Sequence, residues 1–325
     1  MTEGAEGLMK DTVYYLGVDG GGTKTEFALT DAAGNLLGHC VLPGSNPHDC
    51  GMDNTCRIFE QGFDTLCKDI PRSKVSLFVG VAGATDPTTD NALNSYLSSA
   101  GFAVFGYGGD FYNILSAGLG NEAGLIAIMG TGCVVFGQLP GQDGSLETQR
   151  TGGWGHLLDN GGSGWHIGRD ALFAALAQHD GSGEATALKA AVEQKLGCTV
   201  PEAIPQIYSR DKSFAASFAP LVIGAAEGGD AVARRILEDN MKELARLLAC
   251  GVRKLPQGRG YRAVLAGGLT RRADLLFPML YRSLAACGIT QQNLELCVLD
   301  TAPVYGALLK AGLVRTEQSA QAFLI

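Results

Sequence analysis

The sequence predicts an α/β protein with two lobes of the same βββαβαβα type, enclosing a central cleft. Two observations support this prediction. The chain has 325 residues, which is long enough for two domains. Apolar runs with strand character alternate with helical periodicity in two rounds, and each round opens with a strand, a glycine turn and a second strand. This is a structural duplication without obvious sequence repetition, and a cleft between two such lobes is the usual place for a ligand.

The first round occupies about the first 120 residues. We expect a frayed tail over residues 1–11, and proline and glycine predict a loop over residues 43–48. The predicted strands are 13–19, 24–30, 35–42, 75–81 and 103–107, and the predicted helices are 52–67, 88–99 and 111–119.

The second round begins at residue 125 and contains a glycine-rich insertion over residues 151–164, which is followed by a largely helical stretch to about residue 252. We expect a first lobe over residues 12–120 and a second over 121–301, with the C-terminal helix 302–315 packing back on the first lobe. The predicted strands are 125–129, 133–137, 146–150, 263–266 and 294–299, and the predicted helices are 184–196, 230–253, 271–286 and 303–313.

Charge and cysteine content exclude several classes of protein. The net charge of −8 argues against a nucleic-acid partner. The nine cysteines are scattered without a Cys-x-x-Cys pair, which argues against a disulfide framework or a zinc site and favours a reducing cytosol. The N-terminal residues lack a signal-peptide pattern, and the most apolar stretch, residues 123–135, is too short to span a bilayer. We therefore expect a cytoplasmic protein without a membrane partner.

The first glycine turn follows an apolar strand and precedes another. Three consecutive glycines, Gly20 to Gly22, leave room for a backbone turn whose N–H groups can point at one phosphate. Thr23 adds a hydroxyl, Lys24 adds a positive charge, and the carboxylate of Asp19 could hold a hydrated divalent cation. The spacing excludes a P-loop and the dinucleotide fingerprint, both of which require a following helix. An ordinary glycine hairpin is the alternative.

Two later glycine segments also end predicted strands. Gly130-Thr131-Gly132 is the second-round counterpart of the first turn, and two such turns could grip the β- and γ-phosphates of a nucleotide. Gly267-Gly268-Leu269 ends a strand and opens a helix. Taken alone, Gly130-Thr131-Gly132 is more typical of a plain hairpin turn, but its place in the duplication favours a phosphate loop. The alternative for the Gly267 segment is a tight turn between strand and helix.

Asp110 is the candidate catalytic residue. It follows the strand 103–107 and two glycines, and it precedes a helix. A carboxylate at a strand end could accept the proton of an attacking hydroxyl group. Aspartate is also a favoured N-cap residue, and the two interpretations are compatible.

The insertion 151–164 carries unusually many glycines, and both tryptophans of the chain, Trp154 and Trp165, lie in or beside it. A glycine loop that holds an indole suits stacking on the apolar face of a sugar ring. The alternative is a surface loop whose tryptophan packs inward.

The strand–turn–strand segment resembles known phosphate loops. The string D-G-G-G-T is similar to the first phosphate loop of the actin-like ATPase and sugar-kinase superfamily, and Y-L-G-V-D-G-G-G-T-K-T-E resembles the N-acetylglucosamine kinase and BadF-type ATPase family. The resemblance implies the two-lobed actin-like ATPase (ribonuclease H-like) fold, with ATP and Mg²⁺ as cofactors and Asp19 at the metal. It places these residues on ATP: Gly21, Gly22, Thr23, Lys24, Gly130, Thr131, Gly132, Gly267, Gly268 and Leu269.

The insertion resembles the family's sugar-binding loop, G-G-W-G-H-x-x-G-D-E-G-S. The chain departs from that pattern at its acidic centre, where Asp159-Asn160-Gly161 replaces Gly-Asp-Glu, so Asn160 stands where a sugar-contacting aspartate is expected. The resemblance implies contacts between the sugar and Asn46, Ala82, Gly83, Asp110, Gly153, Trp154, Asp159 and Asn160.

The resemblance implies an ATP-dependent kinase for the 6-hydroxyl of an amino sugar. The expected substrate is N-acetylglucosamine or a close relative, such as glucosamine or N-acetylmuramic acid, and we expect a homodimer. Two alternatives remain open. One is a BadF-type ATPase that activates a partner enzyme, and the other is a non-catalytic sugar sensor, which the altered centre at residues 159–161 favours.

Overall fold

The computed structural model describes residues 13–84 and 86–325, and the predicted tail over residues 1–11 lies outside them. Contacts divide the chain into two units. The first comprises the described residues up to Asn121 together with Leu299–Ile325, and the second comprises Glu122–Val298. Within the described residues, no helix is both long enough and apolar enough to cross a membrane.

The described part of the first unit contains a five-stranded sheet of order β3-β2-β1-β4-β5. Strands β1, β4 and β5 are parallel, whereas β2 and β3 continue the sheet as antiparallel neighbours. The strands are β1 (Tyr14–Gly20), β2 (Lys24–Asp31), β3 (Leu36–Pro43), β4 (Val75–Val81) and β5 (Val104–Gly108). The α-helices are α1 (Pro47–Cys50), α2 (Met52–Leu66), α3 (Pro87–Ser99), α4 (Phe111–Leu119), α12 (Pro303–Ala311) and α13 (Glu317–Gln321).

The second unit repeats this arrangement. Its five-stranded sheet has the order β10-β9-β6-β7-β8, with β6, β9 and β10 parallel and the hairpin strands β7 and β8 antiparallel. The strands are β6 (Gly124–Met129), β7 (Cys133–Pro140), β8 (Leu146–Gly152), β9 (Tyr261–Ala266) and β10 (Leu294–Val298). The α-helices are α5 (Gly164–His179), α6 (Ala187–Leu196), α7 (Ile204–Ser209), α8 (Lys212–Ala216), α9 (Ala219–Glu227), α10 (Ala231–Val252) and α11 (Ala273–Ala286). The matching strand orders confirm the predicted duplication.

Helices cover both faces of the first sheet. Strand β4 is buried along its whole length, as expected for a central parallel strand. On one face, Phe59 and Phe63 of α2 pack edge-on against Phe27 of β2, with ring centroids 6.5 and 6.2 Å away. Gly62 allows this approach, because a β-carbon at that position would overlap the ring of Phe27.

Helix α12 returns from the end of the chain to the other face of the first sheet. A β-carbon at Gly17 of β1 would lie 2.8 Å from the backbone nitrogen of Leu308. A β-carbon at Gly306 would overlap the carbonyl oxygen of Asn113 in α4. The hydroxyl of Ser76 in β4 donates to the carbonyl oxygen of Ala311 at 2.6 Å. Two glycines therefore bring α12 into backbone contact with β1 and α4.

Some predicted boundaries are wrong for local reasons. The predicted loop over residues 43–48 ends early, because residues 47–50 form α1. Pro47 suits the first helical position, and Asn46 caps the helix. The helix predicted from residue 184 begins at Ala187, since the hydroxyl of Thr186 caps it by accepting from the amide of Leu188. The turn after β9 is a 3-10 helix, Gly268–Arg272, before α11 begins. The sequence analysis missed α13.

Candidate active site

The first glycine turn connects β1 and β2. The amide of Gly21 donates to the carbonyl oxygen of Lys24 at 2.9 Å, and the carbonyl oxygen of Gly21 accepts from the amide of Ser45 at 3.0 Å. Within the described part of the chain, the amides of Gly22 and Thr23 donate to no protein group. Two adjacent N–H groups are therefore available to an anion.

Close packing explains the glycines of this turn. None of Gly20, Gly21 and Gly22 has a positive φ, so a left-handed backbone does not require them. A β-carbon at Gly20 would lie 2.5 Å from Oγ of Ser45, and one at Gly22 would lie 2.9 Å from Oδ2 of Asp49. The loop that follows β3 therefore lies directly against the turn.

The side chain of Lys24 lies along its own strand. Its Nζ atom pairs with Oε2 of Glu26 at 2.7 Å, and the side chain is 61% exposed. Glu26 also contacts Nε2 of His39 at 3.0 Å. The ammonium group of Lys24, which the family resemblance places on ATP, is therefore paired with the carboxylate of Glu26.

Asp19 lies near the carboxyl end of β1. Nδ2 of Asn113 donates to Oδ1 of Asp19 at 2.7 Å. Burial, assisted by the negative charges of Asp110 and Glu26, raises the pKa of Asp19 to about 7, although the hydrogen bond from Asn113 lowers it. A carboxylate in this position would be stabilised by a nearby cation.

Asp110 follows β5 and begins α4. Its backbone is helical, with φ −54° and ψ −26°, and its side chain accepts no N-cap hydrogen bond. Asp110 therefore holds the N-cap position without a side-chain capping bond. Burial raises the pKa of the Asp110 carboxyl group, whereas the backbone N–H of Phe111 lowers it. Because β1 and β5 both run parallel to β4, Asp19 and Asp110 lie at the same edge of the sheet.

Two bulky side chains follow Asp110 and fold back over the glycines that precede it. A β-carbon at Gly108 would lie 2.7 Å from the ring of Tyr112, and one at Gly109 would overlap the ring of Phe111. The two rings are 4.3 Å apart between centroids. Gly108 and Gly109 therefore give these rings space beside the Asp110 backbone.

The sequence analysis missed Asn113. This residue is fully buried in α4, and its amide nitrogen also donates to the carbonyl oxygen of Val18 at 3.1 Å. A β-carbon at Gly80 would overlap its amide group. The signal in the sequence was a lone amide in an apolar helix, three residues after Asp110.

Asn46 caps α1 and does not extend freely toward solvent. Its Oδ1 atom accepts from the amide of His48 at 3.1 Å, and its Nδ2 atom donates to Oδ2 of Asp49 at 2.7 Å. Both ends of the amide are thus engaged in the loop that supports the glycine turn.

Ala82 and Gly83 follow β4 at the same edge of the sheet. The amide of Ala82 donates to the carbonyl oxygen of Gly20 at 2.8 Å. Gly83 has φ +85°, and a β-carbon there would overlap Oδ1 of Asn46 and lie 2.8 Å from the His48 ring. The structure therefore brings Asn46, Ala82 and Gly83 together beside the first turn.

The second glycine turn, between β6 and β7, is less crowded. The amide of Gly130 donates to the carbonyl oxygen of Gly132 at 2.9 Å, and Trp165 N–H donates to the carbonyl oxygen of Thr131 at 3.2 Å. Among the described residues, a β-carbon at Gly130 or Gly132 would meet no atom within 4 Å. The surface of this turn is open to a ligand.

The Gly267 segment packs beside the second turn. Gly267 has φ +104°, and a β-carbon there would lie 2.5 Å from the carbonyl oxygen of Met129. A β-carbon at Gly268 would meet no atom of the described residues within 4 Å. The side chain of Leu269 belongs to the buried core, so only its backbone could contact a nucleotide.

The glycine-rich loop is organised by Asp159. Its carboxylate accepts from the amide of Trp154 at 3.2 Å and from the amide of Gly155 at 3.0 Å. Trp154 is 62% exposed, and the guanidinium carbon of Arg150 lies 4.2 Å from its ring centroid. Trp165 instead packs between the rings of His156 and His166.

A cavity of about 260 Å³ opens beside this loop, and Trp154, Asp159 and Asn160 contribute to its lining. Gly153, with φ +73°, precedes Trp154 and lies against Val134 of β7. Of the predicted sugar-contacting residues of the second unit, Trp154, Asp159 and Asn160 therefore share one cavity, and Gly153 is not part of its lining.

Known proteins resemble the chain over most of its length. A Dictyostelium discoideum protein named N-acetyl-D-glucosamine kinase is 28% identical over 319 residues, which cover 91% of this chain and 97% of that protein. A Clostridium acetobutylicum protein named N-acetylmuramic acid/N-acetylglucosamine kinase is 27% identical over 273 residues, covering 81% and 88%.

A solved structure of a proposed N-acetylglucosamine kinase from Chromobacterium violaceum superposes with a TM-score of 0.73 at 22% identity, over 93% of this chain and 99% of that one. This likeness confirms the actin-like ATPase fold. The model of the BadF/BadG/BcrA/BcrD ATPase family matches residues 16–288. The chain therefore belongs to the BadF/BadG/BcrA/BcrD ATPase family.

Proposed function

We propose that this chain is an ATP-dependent kinase that phosphorylates the 6-hydroxyl of an amino sugar. The substrate is N-acetylglucosamine or a close relative, such as glucosamine or N-acetylmuramic acid. Two curated relatives that carry kinase names and cover most of the chain support this assignment. The observation that carries it is the carboxylate of Asp110, which is partly buried, makes no side-chain capping bond and lies at the same sheet edge as Asp19.

Asp110 is the general base of the proposed reaction. Its carboxylate accepts the proton of the sugar hydroxyl as that oxygen attacks the γ-phosphorus of ATP and the bond to ADP breaks. Burial supports this role, since it raises the pKa of Asp110 and so makes the carboxylate more basic. Asn46, Ala82, Gly83, Trp154 and Asn160 orient the sugar.

The backbone of the glycine turns binds the phosphates of ATP in this proposal. The free amides of Gly22 and Thr23 and the open turn around Gly130 and Gly132 suit close approach of phosphate oxygens. In the second turn, the hydroxyl group of Thr131 also donates to a phosphate oxygen. Gly267 and Gly268 have no side chains and so leave room for the nucleoside of ATP.

Asp19 suits a hydrated Mg²⁺ ion. Its buried carboxylate has a raised pKa, so a nearby cation would stabilise its ionised form. Mg²⁺ commonly binds through one or two carboxylates together with water and phosphate oxygens. When bound, Mg²⁺ would neutralise charge on the β- and γ-phosphates. Asn113 holds the carboxylate of Asp19 in place through a 2.7 Å hydrogen bond.

The Asp110→Asn variant tests the proposal. We expect it to fold and to bind ATP but to lose more than about 100-fold in turnover, because the amide cannot accept the proton. ADP release coupled to a panel of amino sugars measures turnover, and phosphorus NMR of the product identifies the phosphorylated hydroxyl. Asp90→Asn, on the exposed surface of α3, is the matched control. Near-normal turnover of Asp110→Asn would remove Asp110 from the mechanism.

An ATPase that activates a partner enzyme is the second candidate, because the matching family model is described as an ATPase family. Iron bound to the purified protein, together with ATP hydrolysis that no sugar stimulates, would favour this candidate over the kinase. Sugar binding without any ADP release would instead indicate a sensor.

A further inference from the structure

The cavity beside the glycine-rich loop has a second wall, which the sequence did not indicate. Helix α10 contributes Glu243 and Arg246 to the same lining as Trp154, Asp159 and Asn160. All these residues belong to the second unit. The loop and the middle of a long helix therefore form one binding space.

The loop itself provides no free carboxylate to this space. The Asp159 carboxylate is bound by the amides of Trp154 and Gly155, and Asn160 carries a neutral amide. Gly161 has no side chain. The backbone of the loop thus already uses the Asp159 carboxylate, whereas the helix brings a second carboxylate, that of Glu243, to the same lining.

Glu243 occupies the space beside Gly161. A β-carbon at Gly161 would lie 3.1 Å from both Cβ and Cγ of Glu243, so the helix residue fills the volume that a side chain at position 161 would need. Oε2 of Glu243 accepts from Nε of Arg246 at 3.0 Å. Its other oxygen, Oε1, has no hydrogen-bond partner among the described residues.

Another part of the lining is aromatic, since it includes Trp154. Arg150 covers one part of the Trp154 ring, and the side chain remains 62% exposed. An indole beside a carboxylate, an amide and a guanidinium group suits a polyhydroxylated ring, because the ring's C–H face stacks on the indole while its hydroxyls donate to the oxygens.

We propose that Glu243 is a sugar-binding residue that accepts a hydrogen bond from a hydroxyl of the amino sugar, and that Arg246 fixes its orientation. Glu243 thus supplies from α10 the carboxylate that the loop lacks at residues 160 and 161. This inference rests on the proposed kinase function and identifies a binding residue for its substrate.

Glu243→Gln tests the inference. The amide oxygen of glutamine can still accept from Arg246, so the fold is retained, but the charged acceptor is lost. We expect the KM for N-acetylglucosamine to rise about tenfold or more, with kcat changed less than about threefold. Calorimetric titration with N-acetylglucosamine should show a matching loss of affinity. Glu238→Gln is the control, since Glu238 lies on the same helix and pairs with Arg234 and Arg282 outside the cavity.

The outcomes separate this inference from the proposed function. If the wild type releases ADP with an amino sugar and Glu243→Gln keeps the wild-type KM and affinity, the role of Glu243 is wrong while the kinase assignment stands. If the wild type neither binds nor phosphorylates any amino sugar of the panel, the proposed function fails first. Equal losses in Glu238→Gln and Glu243→Gln would indicate a general effect on α10 and would also overturn the inference.

Discussion

The two glycine turns have the same strand–turn–strand form but use their glycines differently. In the first turn, Gly20 and Gly22 are needed because Ser45 and Asp49 lie against them. In the second, Gly130 and Gly132 face open space in the described part of the chain. The residue before the first turn is the carboxylate Asp19, whereas the residue before the second is the buried, apolar Met129.

The same duplicated turn is therefore restricted to glycine for two different reasons. The first turn is fixed by its own protein neighbours and carries charge beside it. Among residues 13–84 and 86–325, the second has no neighbour that a β-carbon at Gly130 or Gly132 would meet, which is the pattern expected where a ligand approaches the backbone closely. Substitutions in the two turns should therefore affect different properties.

The largest effect on stability should come from Gly20→Ala. The new β-carbon would lie 2.5 Å from Oγ of Ser45 and 2.8 Å from Cγ2 of Val81, so strand β4 or the supporting loop must shift. We expect a loss of about 3 kcal/mol in the free energy of unfolding, measured by chemical denaturation. Gly130→Ala, the corresponding change in the second turn, should lose less than about 1 kcal/mol. Equal losses in both variants would remove the contrast between the turns.

Asp19→Asn should change the free energy of unfolding by less than Gly20→Ala does, and the size of this change should depend on pH. The folded-state pKa of about 7 lies above the ordinary value of 3.8, so the unfolded chain releases this proton first. In the wild type, the contribution of Asp19 to the free energy of unfolding is therefore greatest at low pH, and it falls as the pH rises from about 4 to about 7. The amide avoids this loss.

We therefore expect Asp19→Asn to be more stable than the wild type by about 2 kcal/mol at pH 8 and equal to it at pH 4. Thermal unfolding across this range, without divalent cations, measures the difference. A gain that is the same at every pH would show that the carboxylate charge is not its cause. Asp90→Asn again serves as an exposed control.

The smallest effect on stability should come from Gly132→Ala, where the expected change is within about 0.5 kcal/mol. Its affinity for ATP should nevertheless fall about tenfold, which corresponds to about 1.4 kcal/mol, because the methyl group fills the space that a phosphate would use. Calorimetric titration with ATP measures this loss. Unchanged ATP affinity, with an unchanged fold, would show that the open face of the second turn does not bind the nucleotide.

Much of the fold could be predicted because its signals are local. Glycine turns between apolar runs identified both hairpins, and the sequence also indicated that Asp110 follows a strand and begins a helix. The family resemblance was confirmed over residues 16–288. Magnesium, the 6-hydroxyl, the homodimer and the roles of individual site residues remain predictions.

The missed features depend on contacts between distant parts of the chain. The hydrogen bond from Asn113 to Asp19 joins residues 94 positions apart, and no local pattern encodes it. The contact between Glu243 and Gly161 likewise requires the packing of a helix against a loop. Even the first glycine turn was predicted for a different reason, since its glycines are required by the loop after β3 and not by an unusual backbone conformation.

The position of α12 has a consequence for biosynthesis. The helix that seals β1 and α4 is encoded after the whole second unit, which is itself a continuous stretch of chain. During translation, the apolar surface around Gly17 stays uncovered until residues 303–311 have been synthesised. The core of the second unit can form before that point. We therefore expect the second unit to complete its fold before the first unit does. Until α12 is synthesised, the N-terminal sheet should be the part of the nascent chain that depends most on chaperones.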